Sequence, residues 1–210
     1  MLRRIPGIVA ELWRGAWRGP ALVCTGLVFV YLVTAAALPA WRYERSAILD
    51  GEAWRLVSGH LVHADPLHLG WNLLGVMIVG ALFAREYTPR QWVVILIVST
   101  AAIDVGFLVL EPRLDWYVGF SGVLHGGMAA GLVRWLRCRG DALTWLVGGL
   151  FAAKLVWEHH AGALPLTGSG LSLPVVHEAH SYGAIGGALA AVSIEAWTIV
   201  RRPRPGSPSL

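Results

Sequence analysis

The sequence predicts an all-α membrane protein, a bundle of six transmembrane helices. Three observations predict it. Hydrophobic residues make up 56% of the 210 and charged residues only 14%, about half the charged fraction of an ordinary soluble domain. Six apolar segments can be drawn, at 20–38, 69–84, 92–110, 120–136, 142–157 and 181–200, most of them within the roughly 17–25 residues that a span requires. The cations then sort by side. With the N-terminus in the cytoplasm, twelve of the seventeen Arg and Lys lie inside, four (Arg42, Arg45, Arg55 and Arg113) lie outside, and Lys154 falls within a span. That positive-inside bias would be scrambled by a miscount of one helix.

Residues 1–19 are basic and amphipathic and are expected to lie on the membrane surface. Pro20 to Leu38 is a full span, too long for the core of a cleaved signal peptide, so it reads as an uncleaved first helix. Residues 20–200 then form the membrane domain, with segments two and five slightly short. Residues 201–210, Pro- and Ser-rich, read as a short, disordered cytoplasmic tail, which puts both termini in the cytoplasm. Several tryptophans flank the apolar runs, as interfacial belts require. Cys24 and Cys138 make no disulfide framework and read as two free thiols. The net charge of +4 is accounted for by topology, so no nucleic-acid partner is expected; the lipid bilayer is the partner that the composition names.

The polar chemistry collects on one side. All eight histidines fall on or near the outer face. In GFSGVLHGG, from Gly119, Ser121 stands between glycines where the fourth span begins. A helix start offers unpaired N–H groups and partial positive charge, both suited to a developing oxyanion. A serine becomes a nucleophile only beside a base. His180 in AHSYGAIGGALAA also opens a span, and spans 4 and 6 run the same way. Gly122 and Gly126, and Gly183 and Gly187, are four apart, so the two helices can pack closely and bring Ser121 to His180. His125, one turn below Ser121, is the rival base; otherwise it tunes the pocket or bonds a neighbouring helix. In HLVHADPLHLGWNLLG, His68 and Asn72 share a helix face and are candidates for the oxyanion hole or for tying the first outer loop down. His63 lies in the preceding loop. Accessory candidates are therefore His125, His63, Gly119 and Gly122.

Together GxSG, AHxxGxxxG and HxxxxHxxxN, with Glu52-Ala53-Trp54-Arg55 before them, resemble the rhomboid intramembrane serine proteases over roughly residues 45–190. The resemblance implies a six-helix rhomboid-like bundle and a Ser121–His180 dyad. It also implies an oxyanion site of His68, Asn72 and the Ser121 N–H. The SGVLHG form is similar to the rhombosortase branch. That implies membrane-anchored substrates with a C-terminal tail: a Gly-Gly motif, one transmembrane helix and a basic end. It further implies a bacterial inner membrane with the active site facing the periplasm, and either hydrolysis or transpeptidation. The alternatives are a general rhomboid protease with other single-span substrates, a catalytically dead relative that escorts membrane proteins, and a transporter or channel with a histidine proton relay.

No cofactor is expected, and no metal, since His60, His63 and His177 match no compact zinc spacing. Asp104 and Lys154 are intramembrane charges, expected near the outer end, with Lys154 snorkelling to the surface and Asp104 facing water or pairing with Lys154. A third triad position for Asp104 stays open. Span 5 and the 158–180 loop are the elements expected to gate substrate entry.

Overall fold

The computed structural model describes residues 5–164 and 175–200. The 201–210 tail and the middle of the 158–180 loop lie outside the described residues. Six long helices carry the chain: α1 Ile5–Thr34, α2 Pro66–Phe83, α3 Pro89–Leu110, α4 Ser121–Cys138, α5 Ala142–Ala161 and α6 Glu178–Val200. Each carries most of one of the six apolar segments. Helix α1 is continuous through Pro20.

The helix starts are chemically specified. Asp65 caps α2 by accepting the His68 N–H at 2.7 Å, with Pro66 as its first residue. Thr88 and Gln91 form a capping box ahead of α3. Asp141 caps α5 through the Thr144 N–H and hydroxyl. Candidate membrane spans by length and composition are Gly15–Trp41, Pro66–Phe83, Pro89–Leu110 and Glu178–Ile199. Glycine, histidine and charged residues make α4 and α5 less apolar. Leu22, Phe29 and Leu32 on α1 and Leu146 and Leu150 on α5 are at least 60% exposed, as lipid-facing residues are in a protein without its bilayer. The chain is an integral membrane protein.

Helix α6 lies against α4 backbone to backbone. A Cβ on Gly183 would collide with the Gly122 carbonyl, and one on Gly187 with the Gly126 carbonyl. These are the two GxxxG faces that the sequence singles out. The other side of α6 meets α3, where the Tyr182 ring covers Gly106. At the opposite end of the bundle Arg134 and Arg137 of α4 clamp Glu195 of α6 at 2.7 and 3.0 Å.

One departure from the all-α expectation is a pair of two-residue strands, β1 Tyr43–Glu44 and β2 Trp116–Tyr117, antiparallel with Tyr43 opposite Tyr117. They bind the long α1–α2 loop to the α3–α4 loop. Arg45 reinforces this, donating to the last carbonyls of α3 at Phe107 and Leu108, each 2.9 Å. The Gly119 N–H donates to the Gly59 carbonyl at 3.0 Å, so the α1–α2 loop holds the turn that precedes Ser121. Cys24 and Cys138 are free thiols, as expected.

Candidate active site

Ser121 is the first residue of α4. The turn before it depends on Gly119, whose φ of +121° suits glycine alone. Any side chain there would also strike the imidazole of His68. The Tyr117 hydroxyl donates to the Gly119 carbonyl at 2.6 Å and fixes the same turn. Burial pushes its pKa above the ordinary tyrosine value, so it stays a neutral donor.

The Ser121 hydroxyl lies 2.9 Å from Nε2 of His180, across the α4–α6 seam. Nδ1 of the same ring lies 2.9 Å from Oε2 of Glu158 on α5. A carboxylate can only accept, so Nδ1 carries a proton, and in the neutral ring the Nε2 lone pair faces the serine. His125 stacks on His180, ring centroids 4.0 Å apart and planes 11° apart. Its Nδ1 meets the backbone carbonyl of Ser121 at 2.7 Å, not the hydroxyl. That carbonyl also only accepts, which leaves Nε2 of His125 to accept from Lys154 at 2.8 Å. Lys154 donates further to Oε2 of Glu158 at 2.6 Å. Five residues from three helices thus form one hydrogen-bonded set, closed through the Ser121 carbonyl.

His68 and Asn72 line the same cavity, of about 500 Å³, with Ser121 and His180. Its walls include Met128, Phe151 and Val79. The Asn72 amide donates to the His68 carbonyl at 2.8 Å, which leaves its second N–H available. Asn72 Oδ1 is buried without a partner among the described residues. His63 is 1% exposed and packs edge-on to His68 at 5.0 Å. Burial, and secondly His68, holds its pKa down at about 3, so it is neutral at any physiological pH.

Two sequence expectations are corrected. Asp104 does not pair with Lys154. It bonds Nε2 of His60 at 3.1 Å, and both side chains are buried. It is not the group on Nδ1 of His180; Glu158 is. Lys154 is engaged by Glu158 and His125 within the site rather than extended to the surface. Glu158 is the residue that the sequence reading missed. Its signal was present, an acid four residues after Lys154 in an apolar helix, so that the two share a face. Ligand atoms of His125, Glu158 and His180 lie within 4.8 Å of one another, the spacing of a metal site. The Lys154 ammonium already meets two of those atoms and supplies the positive charge there.

A neutral imidazole facing a hydroxyl at the head of a helix is the geometry of an activated serine. The comparison with known proteins bears on the same segments. The rhomboid domain matches residues 50–196. The chain belongs to the rhomboid family. It is 34% identical over 120 residues to the rhomboid protease GlpG of Klebsiella pneumoniae subsp. pneumoniae, covering 56% of this chain and 41% of that protein. It is 28% identical over 164 residues to the rhomboid protease GlpG of Salmonella choleraesuis, covering 74% and 56%. The GlpG of Enterobacter sp. (strain 638) is 29% identical over 126 residues, covering 53% and 43%. The chain thus spans about half the length of these relatives.

Proposed function

We propose that this rhomboid-family protein is an intramembrane serine endopeptidase, with Ser121 as nucleophile and His180 as base. The observation that carries the reading is the 2.9 Å contact between the serine hydroxyl and an imidazole nitrogen whose lone pair, in the neutral ring, faces it. Oγ of Ser121 adds to the scissile carbonyl, and its proton passes to Nε2 of His180. The oxyanion is received by the Ser121 N–H, His68 and the spare N–H of Asn72. His180 then protonates the leaving amine. Water releases the acyl-enzyme by hydrolysis, and an amine in its place gives transpeptidation.

The six helices are six spans with both termini cytoplasmic, which agrees with the arginine distribution. The site then faces the periplasm from a bacterial inner membrane. The substrates are membrane-anchored proteins with a C-terminal tail of the rhombosortase type. The SGVLHG motif supports this branch, and His125, its distinctive residue, stacks on His180.

The test is cleavage in proteoliposomes of a reporter whose tail holds a Gly-Gly motif, one transmembrane helix and a basic end. Wild type should release the reporter; Ser121→Ala and His180→Ala should not. The mass of the new C-terminus separates hydrolysis from amine transfer. Equal cleavage after scrambling the Gly-Gly motif would leave a general rhomboid protease. Cleavage retained by Ser121→Ala would overturn the assignment.

A further inference from the structure

The resemblance implies a two-residue dyad, yet Nδ1 of His180 is not left to solvent. Its partner, Glu158, has a side chain 3% exposed on a helix most of whose apolar side chains face outward. A carboxylate in such a place is costly unless it is paired. It is paired twice through one oxygen, to His180 at 2.9 Å and to Lys154 at 2.6 Å. The charged and titratable groups around His180 are Ser121 and His125 from α4, Lys154 and Glu158 from α5, His68 from α2 and His177 just before α6. Among these, Glu158 is the acid bonded to the ring.

We propose that Glu158 is a positioning residue that completes a Ser121–His180–Glu158 triad, with Lys154 as its built-in counter-charge. The proposal rests on the protease reading above. Glu158 fixes the tautomer and the ring orientation of His180. It also faces the imidazolium that forms once His180 has taken the serine proton. Lys154 offsets the burial of the carboxylate and orients His125, whose ring stacks on the other face of His180. The set holds one full negative and one full positive charge before reaction. No proton needs to leave it when Ser121 attacks, because the proton moves from Oγ to Nε2 and stays there until the leaving amine takes it.

A bland alternative is that Lys154 and Glu158 merely pin α5 to the bundle as an i,i+4 pair. The two readings differ in what they do to His180. The experiment is the rate of labelling by a fluorophosphonate, resolved into the saturating rate and the half-saturating concentration, on full-length protein in detergent. Glu158→Gln should lower the saturating rate at least about 100-fold, as loss of the orienting acid does in a triad, with little change in half-saturation. Glu158→Asp should recover part of the rate. The double variant Glu158→Gln/Lys154→Met removes the charge imbalance and so keeps the protein folded, yet it should stay as slow as Glu158→Gln. In proton NMR of histidine-labelled protein, a strongly downfield Nδ1–H resonance should be present in wild type and lost in Glu158→Gln.

A double variant restored to the wild-type rate would make the pair purely structural and overturn the triad. So would Glu158→Gln labelling at the wild-type rate. Wild type that neither labels nor cleaves would instead overturn the protease reading; the Nδ1–H resonance would still decide whether Glu158 holds His180.

Discussion

Helices α5 and α6 both bring a site residue to Ser121, and they are held by opposite means. Helix α6 is held by shape. Its glycines lie against the α4 backbone at Gly122 and Gly126, so the Ser121–His180 distance is set by contacts that admit no side chain. Helix α5 is held largely by charge. Its buried residues are Thr144 and Glu158, one at each end, and most of its apolar side chains face outward. Steric seams fix a distance rigidly and do not respond to conditions. A polar anchor fixes direction and can be undone by one proton or one substitution. The proposed nucleophile and base therefore share the rigid seam, and the residue that orients the base sits on the adjustable helix.

Breaking the seam should have the largest effect. Gly183→Leu drives a side chain into the Gly122 backbone. It should abolish fluorophosphonate labelling and lower stability by about 3 kcal/mol, read by thermal unfolding. On α5 a Cβ at Gly149 meets nothing within 4 Å, so Gly149→Leu should label within about twofold of wild type, since surface changes away from such features are usually neutral. Equal damage from both would erase the distinction between the helices.

The polar anchor comes next. Among the described residues, Lys154→Met leaves the Glu158 carboxylate with His180 alone and frees Nε2 of His125. The Lys154 side chain is 25% exposed, so the stability loss should be about 1–3 kcal/mol, at or below the range for breaking a buried pair. Labelling should fall about tenfold. Increased protease access to α5, with α6 still protected, would sharpen the comparison.

Glu195→Gln at the far end of the α4–α6 seam should cost about 1 kcal/mol, because Arg134 and Arg137 are about a third exposed. It should leave labelling unchanged. A large loss of labelling would mean that the seam transmits strain along its whole length.

The smallest effect concerns His63. Its pKa is about 3 in the folded protein and near 6.5 when unfolded. Between those values the unfolded chain binds the extra proton, so His63 favours the folded state fully above pH 6.5 and progressively less as pH falls toward 3. His63→Gln should flatten the fall in melting temperature across that window, with little change at pH 7.5.

The sequence carries much of this. The three motifs, the gathering of the histidines at one end of the bundle and the two GxxxG faces follow from spacing, and the structure brings Ser121, His180, His68 and Asn72 to one cavity. What was not legible comes from rotation about a helix axis. Helical period says that Lys154 and Glu158 share a face, but not that the face turns toward His180 rather than lipid. For the same reason Asp104, a charge within the third apolar segment, pairs with His60 from the α1–α2 loop. The β1–β2 pair is two residues long on each side, too short to leave an alternating pattern.

The most direct test of the central claim is fluorophosphonate labelling of purified wild type, followed by mass spectrometry of the modified peptide, beside Ser121→Ala and His180→Ala. The account predicts one adduct per chain, on Ser121, and none in either variant. An adduct elsewhere, or labelling that survives in Ser121→Ala, would contradict it, as would a folded wild-type protein that takes no label.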